Sequence, residues 1–287
     1  MSDTLRAGLW MIGAIIAFTL MAIAGRAVSL ELDTFEIMLF RSLTGIVIVL
    51  VIARAAGTLH QVNRQQLGLH GLRNAAHFTG QNLWFFALPL IPLAQVFALE
   101  FTTPIWVILM APFLLGERIT RIGAVAAALG FGGVMVVTRP WGAELSPGLI
   151  AAALAAIGFA LTAIFTRKLT RTQSITCILV WLTVMQAVFG VIMAGYDGDI
   201  ALPSRAALPW VVLIGCAGLV AHFCLTTALS LAPASIVMPI DFIRLPVIAL
   251  VGAAFYAEGL DPWIFVGAAI IFAANYINIA FGQRARS

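Results

Sequence analysis

Residues 92–117 have the sequence PLAQVFALEFTTPIWVILMAPFLLGE, and residues 233–258 have the sequence PASIVMPIDFIRLPVIALVGAAFYAE. The two segments align without a gap at an offset of 141 residues, which places Glu100 opposite Asp241. Each segment is an apolar run with one acidic residue in its middle, proline within the run and an acidic residue at its end. Such a pair at a fixed period indicates an internal duplication, and the duplication determines the architecture that we predict for the whole chain.

The composition of the chain is typical of a membrane protein. Hydrophobic residues make up 62% and charged residues 10% of the 287 residues, whereas soluble proteins have about 25% charged residues. The net charge of +4 comes from basic residues that lie mostly between apolar runs, not along one stripe with interleaved aromatic residues. We therefore expect the lipid bilayer to surround the folded chain, and we expect no nucleic-acid partner.

Apolar stretches of about 20 residues are long enough to cross a bilayer as helices. A cleaved signal peptide is the alternative for the first stretch, but AIAGRAVS at residues 22–29 recurs in mid-chain as AIFTRKLT at residues 163–170, at the same offset. No polar stretch is long enough to form a soluble domain. Ten apolar stretches are long enough to be membrane spans, and they are numbered here in chain order: residues 8–29, 34–54, 68–89, 91–115, 120–138, 146–167, 174–195, 207–231, 234–256 and 261–282.

The offset divides the spans into two repeats of five, which we assign to residues 1–142 and 143–287. Because five is an odd number, the second repeat enters the membrane upside down relative to the first. We predict an all-α integral membrane protein with ten transmembrane helices in two inverted five-helix repeats, an arrangement found in secondary transporters. The alternative is a membrane scaffold that was enlarged by duplication.

The basic residues predict the orientation of the chain. If the spans alternate in direction, most of the basic residues between the spans or near their ends lie on one side, and the positive-inside rule places both termini in the cytoplasm. The residues on the predicted cytoplasmic side are Arg6, Arg54, Arg64, Arg73, Arg118, Arg121, Arg167, Lys168, Arg171, Arg284 and Arg286, and those on the other side are Arg26, Arg139 and Arg205.

Charged residues within the spans are the first candidates for function, since a charge in the hydrocarbon costs at least ~2.5–3.5 kcal/mol. Glu100 lies in span 4, Arg41 in span 2, and Asp241 and Arg244 lie one helical turn apart in span 9. We expect the two arginines to bind an anionic group and the two acids to bind a proton or a cationic part of the substrate. The alternative is a pair of permanent salt bridges, Glu100 with Arg41 and Asp241 with Arg244.

Two further spans carry polar side chains. His77, Gln81 and Asn82 share span 3, and His222 of span 8 is equivalent to Gln81 at the repeat offset. We predict a polar, substrate-binding cavity lined by spans 2, 3, 4, 8 and 9. Either histidine could titrate near neutral pH, and a histidine that only packs between helices is the alternative.

Aromatic residues accompany the polar ones. Trp84 and Phe85 lie one turn beyond Gln81 in span 3, and Trp106 lies in span 4. These rings could stack on a flat or cationic substrate. For Trp84, a place in an aromatic belt at the membrane interface is the alternative.

Prolines and glycines are expected to shape the spans. Pro104 follows Glu100 by four residues, and Pro239 and Pro246 bracket the charged pair of span 9. Broken helices beside buried charges are where secondary transporters bind substrate and change state, and a proline kink used only for packing is the alternative. In span 5, three glycines and the alanine-rich run at residues 124–128 predict a close contact with a neighbouring helix; the glycines are Gly130, Gly132 and Gly133.

Glu117 and Glu258 end the duplicated runs at opposite membrane faces. A loop salt bridge, for example with Arg118 or Arg121, is the interpretation that we favour for these acids. A role in gating the transport path is the alternative.

The sequence carries no motif of a catalytic, nucleotide or metal site. HExxH, Gly-x-Ser-x-Gly, a P-loop and a spaced cysteine–histidine set are all missing. Cys177, Cys216 and Cys224 lie in apolar runs, where cysteine is a small hydrophobic residue. We expect no enzymatic activity, no cofactor and no metal, and transport driven by a gradient or by exchange.

Residues 87–120, ALPLIPLAQVFALEFTTPIWVILMAPFLLGERIT, resemble the EamA-type carriers of the drug/metabolite transporter superfamily. Pro104 followed by an apolar stretch ending in Gly116-Glu117-Arg118 carries the resemblance, which with the two five-span repeats extends over essentially the whole chain. The second repeat departs from it, with Glu258 followed by glycine and the proline one position later. The resemblance implies an alternating-access carrier of amino acids, their derivatives or nucleoside-like metabolites in a bacterial-type inner membrane.

We therefore predict a secondary active transporter of a small charged or zwitterionic metabolite, such as an amino-acid derivative, S-adenosylmethionine or a related organic ion. A proton or a counter-substrate is the expected coupling partner. An exporter of amino acids or aromatic compounds is the alternative within transport, and a non-transporting scaffold or lipid-handling protein is the alternative outside it. The sequence leaves open the substrate, the direction, the coupling ion and the oligomeric state.

Overall fold

The computed structural model of the chain describes residues 3–116, 120–139, 146–231, 240–241 and 243–282. Within these ranges every regular element is helical, and a short 3-10 helix, Leu59–Gln61, lies between the second and third α-helices. The α-helices are α1 Asp3–Val28, α2 Thr34–Ala55, α3 Leu67–Ala87, α4 Leu93–Glu100, α5 Thr103–Leu115, α6 Arg121–Thr138, α7 Pro147–Leu169, α8 Ile175–Ala194, α9 Leu208–Leu231, α10 Arg244–Tyr256 and α11 Pro262–Gly282.

These helices match the predicted spans in order. Helices α4 and α5 together form span 4, and α10 is the second half of span 9, whose first half falls largely outside the described residues. Seven of the described segments are long and apolar enough to cross a membrane, and α10 and α11 provide shorter apolar segments. Helix α3 is less apolar because it carries the polar residues of the candidate site. The predicted all-α membrane fold of ten spans in two inverted repeats is confirmed.

The packing of the helices has the symmetry of an inverted repeat. The most extensive contacts each join one span of the first repeat to one of the second: α1 with α9, α3 with α7, α2 with α8, and α6 with α11. Replacing each helix by its equivalent in the other repeat turns the α1–α9 pair into the α7–α3 pair and leaves the other two pairs unchanged. A two-fold axis between the repeats accounts for this pattern, as in transporters with inverted topology.

Small residues allow the closest of these helix contacts. A Cβ atom added to Gly133 of α6 would lie 2.7 Å from the carbonyl oxygen of Gly267 in α11, and one added to Gly158 of α7 would lie 2.8 Å from Cα of Gly80 in α3. Nothing lies within 4 Å of a Cβ added to Gly132. The predicted close contact of span 5 is therefore found, and it is made with span 10 through Gly133.

Span 4 is broken directly after Glu100. Pro104 has no N–H to donate to the Glu100 carbonyl one turn back, and the hydroxyl of Thr103 donates to that carbonyl instead, at 2.6 Å. The side-chain amide of Asn275 in α11 donates to the carbonyl of Phe101 at 3.0 Å. The break is thus a hydrogen-bonded feature that fixes Glu100 at the end of a half-helix.

A proline lies in the first turn of the second half-helix of each broken span. Pro104 is the second residue of α5, and Pro246 is the third residue of α10. Backbone donors are not needed in the first turn of a helix, so proline fits there. Pro246 is exposed on the outer surface of the helix bundle and does not line the candidate site, and Pro239 lies outside the described residues.

Candidate functional site

A cavity of about 500 Å³ lies between the two repeats, a size typical of small-molecule sites, which have volumes of about 300–1,000 Å³. Helices α1, α3, α4, α5, α7, α9, α10 and α11 all contribute to its wall, with Asp241 beside them. The polar side chains of the wall are Arg73, His77, Gln81, Glu100, Thr103, Thr162, Thr166, His222, Asp241, Arg244 and Asn275, and the aromatic ones are Phe18, Trp84, Phe101 and Phe159.

One arginine bridges the buried acids of the two repeats. Nη2 of Arg244 lies 3.1 Å from Oε1 of Glu100 and 3.0 Å from Oδ2 of Asp241. The indole N–H of Trp84 donates to the other oxygen of Glu100 at 2.9 Å. The side chain of Arg244 is 4% exposed, so these charges lie where water screens them little. We call Glu100, Asp241 and Arg244 the ionic cluster.

Aromatic rings enclose the guanidinium of Arg244. Its Cζ lies 4.6 Å from the ring centroid of Phe18, 4.9 Å from that of Phe97 and 5.0 Å from that of Phe101. Rings at this distance attract a cation through their negative faces. The ionic cluster lines the cavity through Glu100, Asp241 and Arg244.

The two predicted histidines lie beside each other in the cavity wall. The ring centroids of His77 and His222 lie 6.5 Å apart. The ring of His77 also contacts that of Phe159, at 6.2 Å between centroids, and the ring of His222 contacts that of Phe18, at 5.7 Å. Neither ring nitrogen of His77 has a hydrogen-bond partner among the described residues. His77 is therefore not held by a structural hydrogen bond, and Gln81 follows it on the same wall.

Arg73 is a cavity residue that the sequence interpretation missed. It was assigned to the cytoplasmic surface because it lies near the start of span 3, yet it is only 7% exposed and lines the cavity. Its Nε donates to Oγ1 of Thr166 at 3.1 Å. The spacing of Arg73, His77, Gln81 and Trp84 is four, four and three residues, which places them on one helical face. This helical periodicity is the sequence signal that indicates a place for Arg73 in the cavity wall.

Arg41 lies outside the cavity, contrary to the expectation that it binds substrate with Arg244. It lines a separate small pocket of about 30 Å³ that it shares with His222, and its Nη1 contacts Sδ of Met38 at 3.7 Å. The alternative pairing of Glu100 with Arg41 is wrong as well, because Arg244 takes that place. Span 2 packs mainly against α8, which turns Arg41 away from the site.

Three other candidates are also outside the cavity wall. The amide of Asn82 donates to the carbonyl of Phe78 in its own helix at 2.7 Å, Phe85 is fully buried in the core, and Trp106 packs edge-on against Phe131 at 5.3 Å. Asn82 and Phe85 each follow a cavity residue by one position, which rotates them about 100° around the helix. The predicted wall of spans 2, 3, 4, 8 and 9 therefore loses span 2 and gains spans 1, 6 and 10.

A second polar group closes the bundle at the far end of α3 from Arg73. Arg26 of α1 forms an ion pair with Glu258, and its Nε and Nη2 donate to the carbonyls of Leu88 and Ile91, each at 2.6 Å. The backbone N–H of Leu93 donates to Glu258 at 3.0 Å. We call these five residues the Arg26 cluster.

The Arg26 cluster replaces the loop salt bridge that we predicted for Glu258. The cluster ties the end of α1 and the connection between α3 and α4 to the residue that follows α10. Four of its contacts join residues more than sixty positions apart in the sequence. Glu117, its equivalent in the first repeat, lies outside the described residues.

Comparison with known proteins identifies the family of this bundle. A family model described as the EamA-like transporter family matches residues 5–139 and 146–280. The chain belongs to this family. Both halves of the chain match the family model. A solved crystal structure with a TM-score of 0.67 and 18% identity, covering 98% of this chain and 99% of the other, has the same fold.

Several curated relatives of this EamA-like transporter are transporters of small metabolites. It is 28% identical over 283 residues to the riboflavin transporter of Vibrio cholerae, covering 96% of this chain and 92% of that one. The riboflavin transporter of Rhizobium johnstonii is 31% identical over 199 residues, or 68% and 65% of the two chains. The S-adenosylmethionine uptake transporter of Rickettsia felis is 24% identical over 291 residues, or 100% and 98%.

These relationships determine the class of the protein. The chain is a multi-pass integral membrane protein and a transporter of small metabolites, and it is not an enzyme. The predictions of class and fold are confirmed, and nothing favours the exporter, scaffold or lipid-handling alternatives.

Proposed function

We propose that this EamA-like transporter carries a metabolite that combines a flat nitrogen heteroaromatic ring with a polar or zwitterionic tail. The observation that supports this proposal is the pairing, in one cavity, of aromatic walls with the ionic cluster. Phe18, Trp84 and Phe159 provide surfaces on which a flat ring stacks. A purely apolar substrate would leave buried polar atoms of the wall, such as the side-chain oxygens of Gln81 and Asn275, without partners, which is costly.

Hydrogen-bonding groups in the wall suit the edge of such a ring. Gln81 and Asn275 both line the cavity, and the side-chain oxygen of each has no hydrogen-bond partner among the described residues. Buried polar atoms normally have partners, so a ring N–H or an amino group is a fitting ligand for them. An amide can present a donor or an acceptor, which allows both imide-type and amino-type ring edges.

The names of the relatives support the same substrate class. Riboflavin consists of a fused heteroaromatic ring with an uncharged polyhydroxyl tail, whereas S-adenosylmethionine consists of an adenine ring with a charged tail. The shared part is the ring, and the ring is what the aromatic wall would recognise. Riboflavin and S-adenosylmethionine are therefore the two substrates to test first.

The proposed mode of transport is uptake by alternating access, in line with the S-adenosylmethionine uptake relatives. Both termini are assigned to the cytoplasm by the basic residues that flank the spans, such as Arg54, Arg64 and Lys168. In that orientation the Arg26 cluster closes the periplasmic end of the bundle, and Arg73 lies toward the cytoplasmic end of the cavity. The conformation is then an inward-facing one, and opening of the Arg26 cluster would give the outward-facing state.

The ionic cluster is the proposed coupling site. Arg244 is shared by Glu100 and Asp241, so a proton on either acid would free the guanidinium from that acid. A positively charged counter-substrate would compete with Arg244 for the same carboxylates. The described residues of the cavity wall all belong to one chain, and the proposed cycle requires one copy.

The test is uptake into liposomes that contain the purified protein. We expect saturable uptake of radiolabelled riboflavin or S-adenosylmethionine, competition by other compounds that carry a heteroaromatic ring, and loss of uptake in Glu100→Gln. Binding should also raise the melting temperature by mass action, equivalent to ~2.7 kcal/mol at one hundred times the dissociation constant. Uptake of ring-free amino acids alone, or uptake indifferent to Glu100→Gln, would contradict the proposal.

A further inference from the structure

We propose that the cavity contains a second charged subsite, at Arg73, which binds a carboxylate or phosphate group of the transported metabolite. The proposal rests on the function proposed above, because it assigns the tail of the same substrate. Arg73 lines the cavity from α3 and is 7% exposed. An arginine this deeply buried in a membrane protein requires a partner or a function.

The partners of Arg73 within the protein are uncharged. Its Nε donates to Oγ1 of Thr166 at 3.1 Å, and its Nη1 donates to Oδ1 of Asn74 at 2.8 Å. No carboxylate in the described part of the chain forms an ion pair with it. The positive charge of Arg73 is therefore not neutralised at contact distance by any described residue.

Glu100 and Asp241, the two acids of the cavity, form their contacts far from Arg73. Both contact Arg244, and Glu100 also accepts from Trp84. Trp84 follows Arg73 by eleven positions in α3, which corresponds to about 16 Å along the helix axis. The cavity thus has two charged ends, the ionic cluster at one and a single arginine at the other.

A carboxylate or a phosphate is the ligand that matches a single arginine. A guanidinium donates two parallel hydrogen bonds to such a group, and these charge-assisted bonds are stronger than neutral ones. Thr166 lines the same part of the cavity and adds a hydroxyl beside the guanidinium. The anion would remove the cost of a buried cation without a counter-charge.

The two ends define the shape of the substrate. Between them, His77 and Phe159 line the middle of the cavity as neighbouring rings, with centroids 6.2 Å apart. A ring bound in this middle section would direct its tail along α3 toward Arg73. The substrate class is then an acidic heteroaromatic compound, either a nucleoside that bears an amino acid or a phosphorylated ring compound.

The experiment compares matched pairs of ligands that differ in one anionic group. Riboflavin is compared with riboflavin phosphate, and decarboxylated S-adenosylmethionine with S-adenosylmethionine, by equilibrium binding to the purified protein. We expect the wild type to bind the anionic member of at least one pair about 10 to 100 times more tightly, which is about 1.4–2.8 kcal/mol. Arg73→Gln should weaken only the member that bears the anionic group, to the level of the analogue that lacks it.

Two further variants sharpen the comparison. Arg41→Gln removes a different membrane-buried arginine that does not line the cavity, and we expect it to keep the wild-type preference. Arg73→Lys keeps the charge but loses the two-pronged geometry, so part of the preference should remain. Arg73→Lys also preserves the test if the glutamine variant is not recovered as folded protein.

The outcomes distinguish this subsite from the proposed function. Equal binding of both members of each pair by the wild type, or equal weakening of both members in Arg73→Gln, would overturn the subsite while leaving the ring recognition intact. If no ring compound binds, the proposed function fails. The subsite is then judged by thermal stabilisation with inorganic phosphate: a shift in the wild type that Arg73→Gln lacks supports it, and its absence refutes it.

Discussion

Arg244 and Glu100 lie 144 residues apart in the sequence, yet Nη2 of Arg244 is 3.1 Å from Oε1 of Glu100. The two residues belong to different repeats, and each lies at the edge of a broken span. Asp241, the repeat equivalent of Glu100, contacts the same guanidinium. One side chain therefore joins the two helix breaks.

Removing this side chain should destabilise the protein strongly. Arg244→Gln leaves two buried carboxylates without their cation, and breaking a buried pair costs about 3–5 kcal/mol. We expect a clearly lower melting temperature in detergent, measured by thermal unfolding. Arg41→Gln is the matched control, because Arg41 contacts no carboxylate among the described residues. A similar loss in both variants would contradict the bridging role of Arg244.

The hydrogen bond from Trp84 to Glu100 can be tested without removing the ring. Trp84→Phe keeps an aromatic surface but deletes the N–H that donates at 2.9 Å. Hydrogen bonds to charged groups contribute about 1.5–3 kcal/mol, so we expect substrate binding to weaken at least tenfold. Trp106→Phe serves as the control, since Trp106 packs on Phe131 away from the cavity. Unchanged binding in Trp84→Phe would show that Glu100 is positioned by Arg244 alone.

In the proposed orientation, the Arg26 cluster should hold the periplasmic end of the bundle closed. Leu93 is fully buried next to Glu258 and is a suitable reporter when replaced by cysteine in a background without the three native cysteines. Arg26→Gln should increase the labelling of this cysteine by a membrane-impermeant thiol reagent added from outside.

The control for this experiment is the nearby ion pair of Arg139 with Asp261. Its side chains are 41% and 26% exposed, and exposed pairs contribute only about 0–1 kcal/mol. We expect Arg139→Gln to leave the labelling rate unchanged. Equal labelling in wild type and Arg26→Gln would mean that the cluster does not close the path.

Two adjacent glycines of α6 should respond differently to the same substitution. Gly133→Ala places a methyl group 2.7 Å from the Gly267 carbonyl, whereas Gly132→Ala meets nothing within 4 Å. Close helix contacts in membranes depend on such small residues. We expect Gly133→Ala to lower the melting temperature and Gly132→Ala to leave it within a degree or so. Identical effects would indicate that the α6–α11 contact adjusts freely.

The fold was predictable because its signals are local and periodic. Apolar length identified the spans, and the fixed offset between Glu100 and Asp241 revealed the duplication. The same reasoning placed Glu100, Asp241 and Arg244 in the site, since charges are expensive in a membrane wherever they lie. None of these inferences required knowledge of which helices are neighbours.

Several other residues of the site could not be placed without knowing which helices are neighbours. Arg41 and Arg73 both lie in apolar spans, and the packing of α2 on α8 and of α3 on α7 places Arg73, but not Arg41, in the cavity wall. The pairing of Glu100 with Arg244, and not with Arg41, depends in the same way on which helices are neighbours. Asn82 and Phe85 were misplaced for a different reason, since one position along a helix changes the face by about 100°. Their helical spacing from Arg73 and His77 already places them on a different face of α3.

The partnership of the helices has a consequence for how the protein is made. Each of the main packing partners, α1 with α9, α3 with α7, α2 with α8 and α6 with α11, is divided between the repeats. When the first repeat has entered the membrane during synthesis, its helices still lack the neighbours that they have in the final bundle. The membrane therefore has to hold five correctly oriented but unassembled helices until the second half arrives. Two halves made as separate chains would then be stable only in each other's presence.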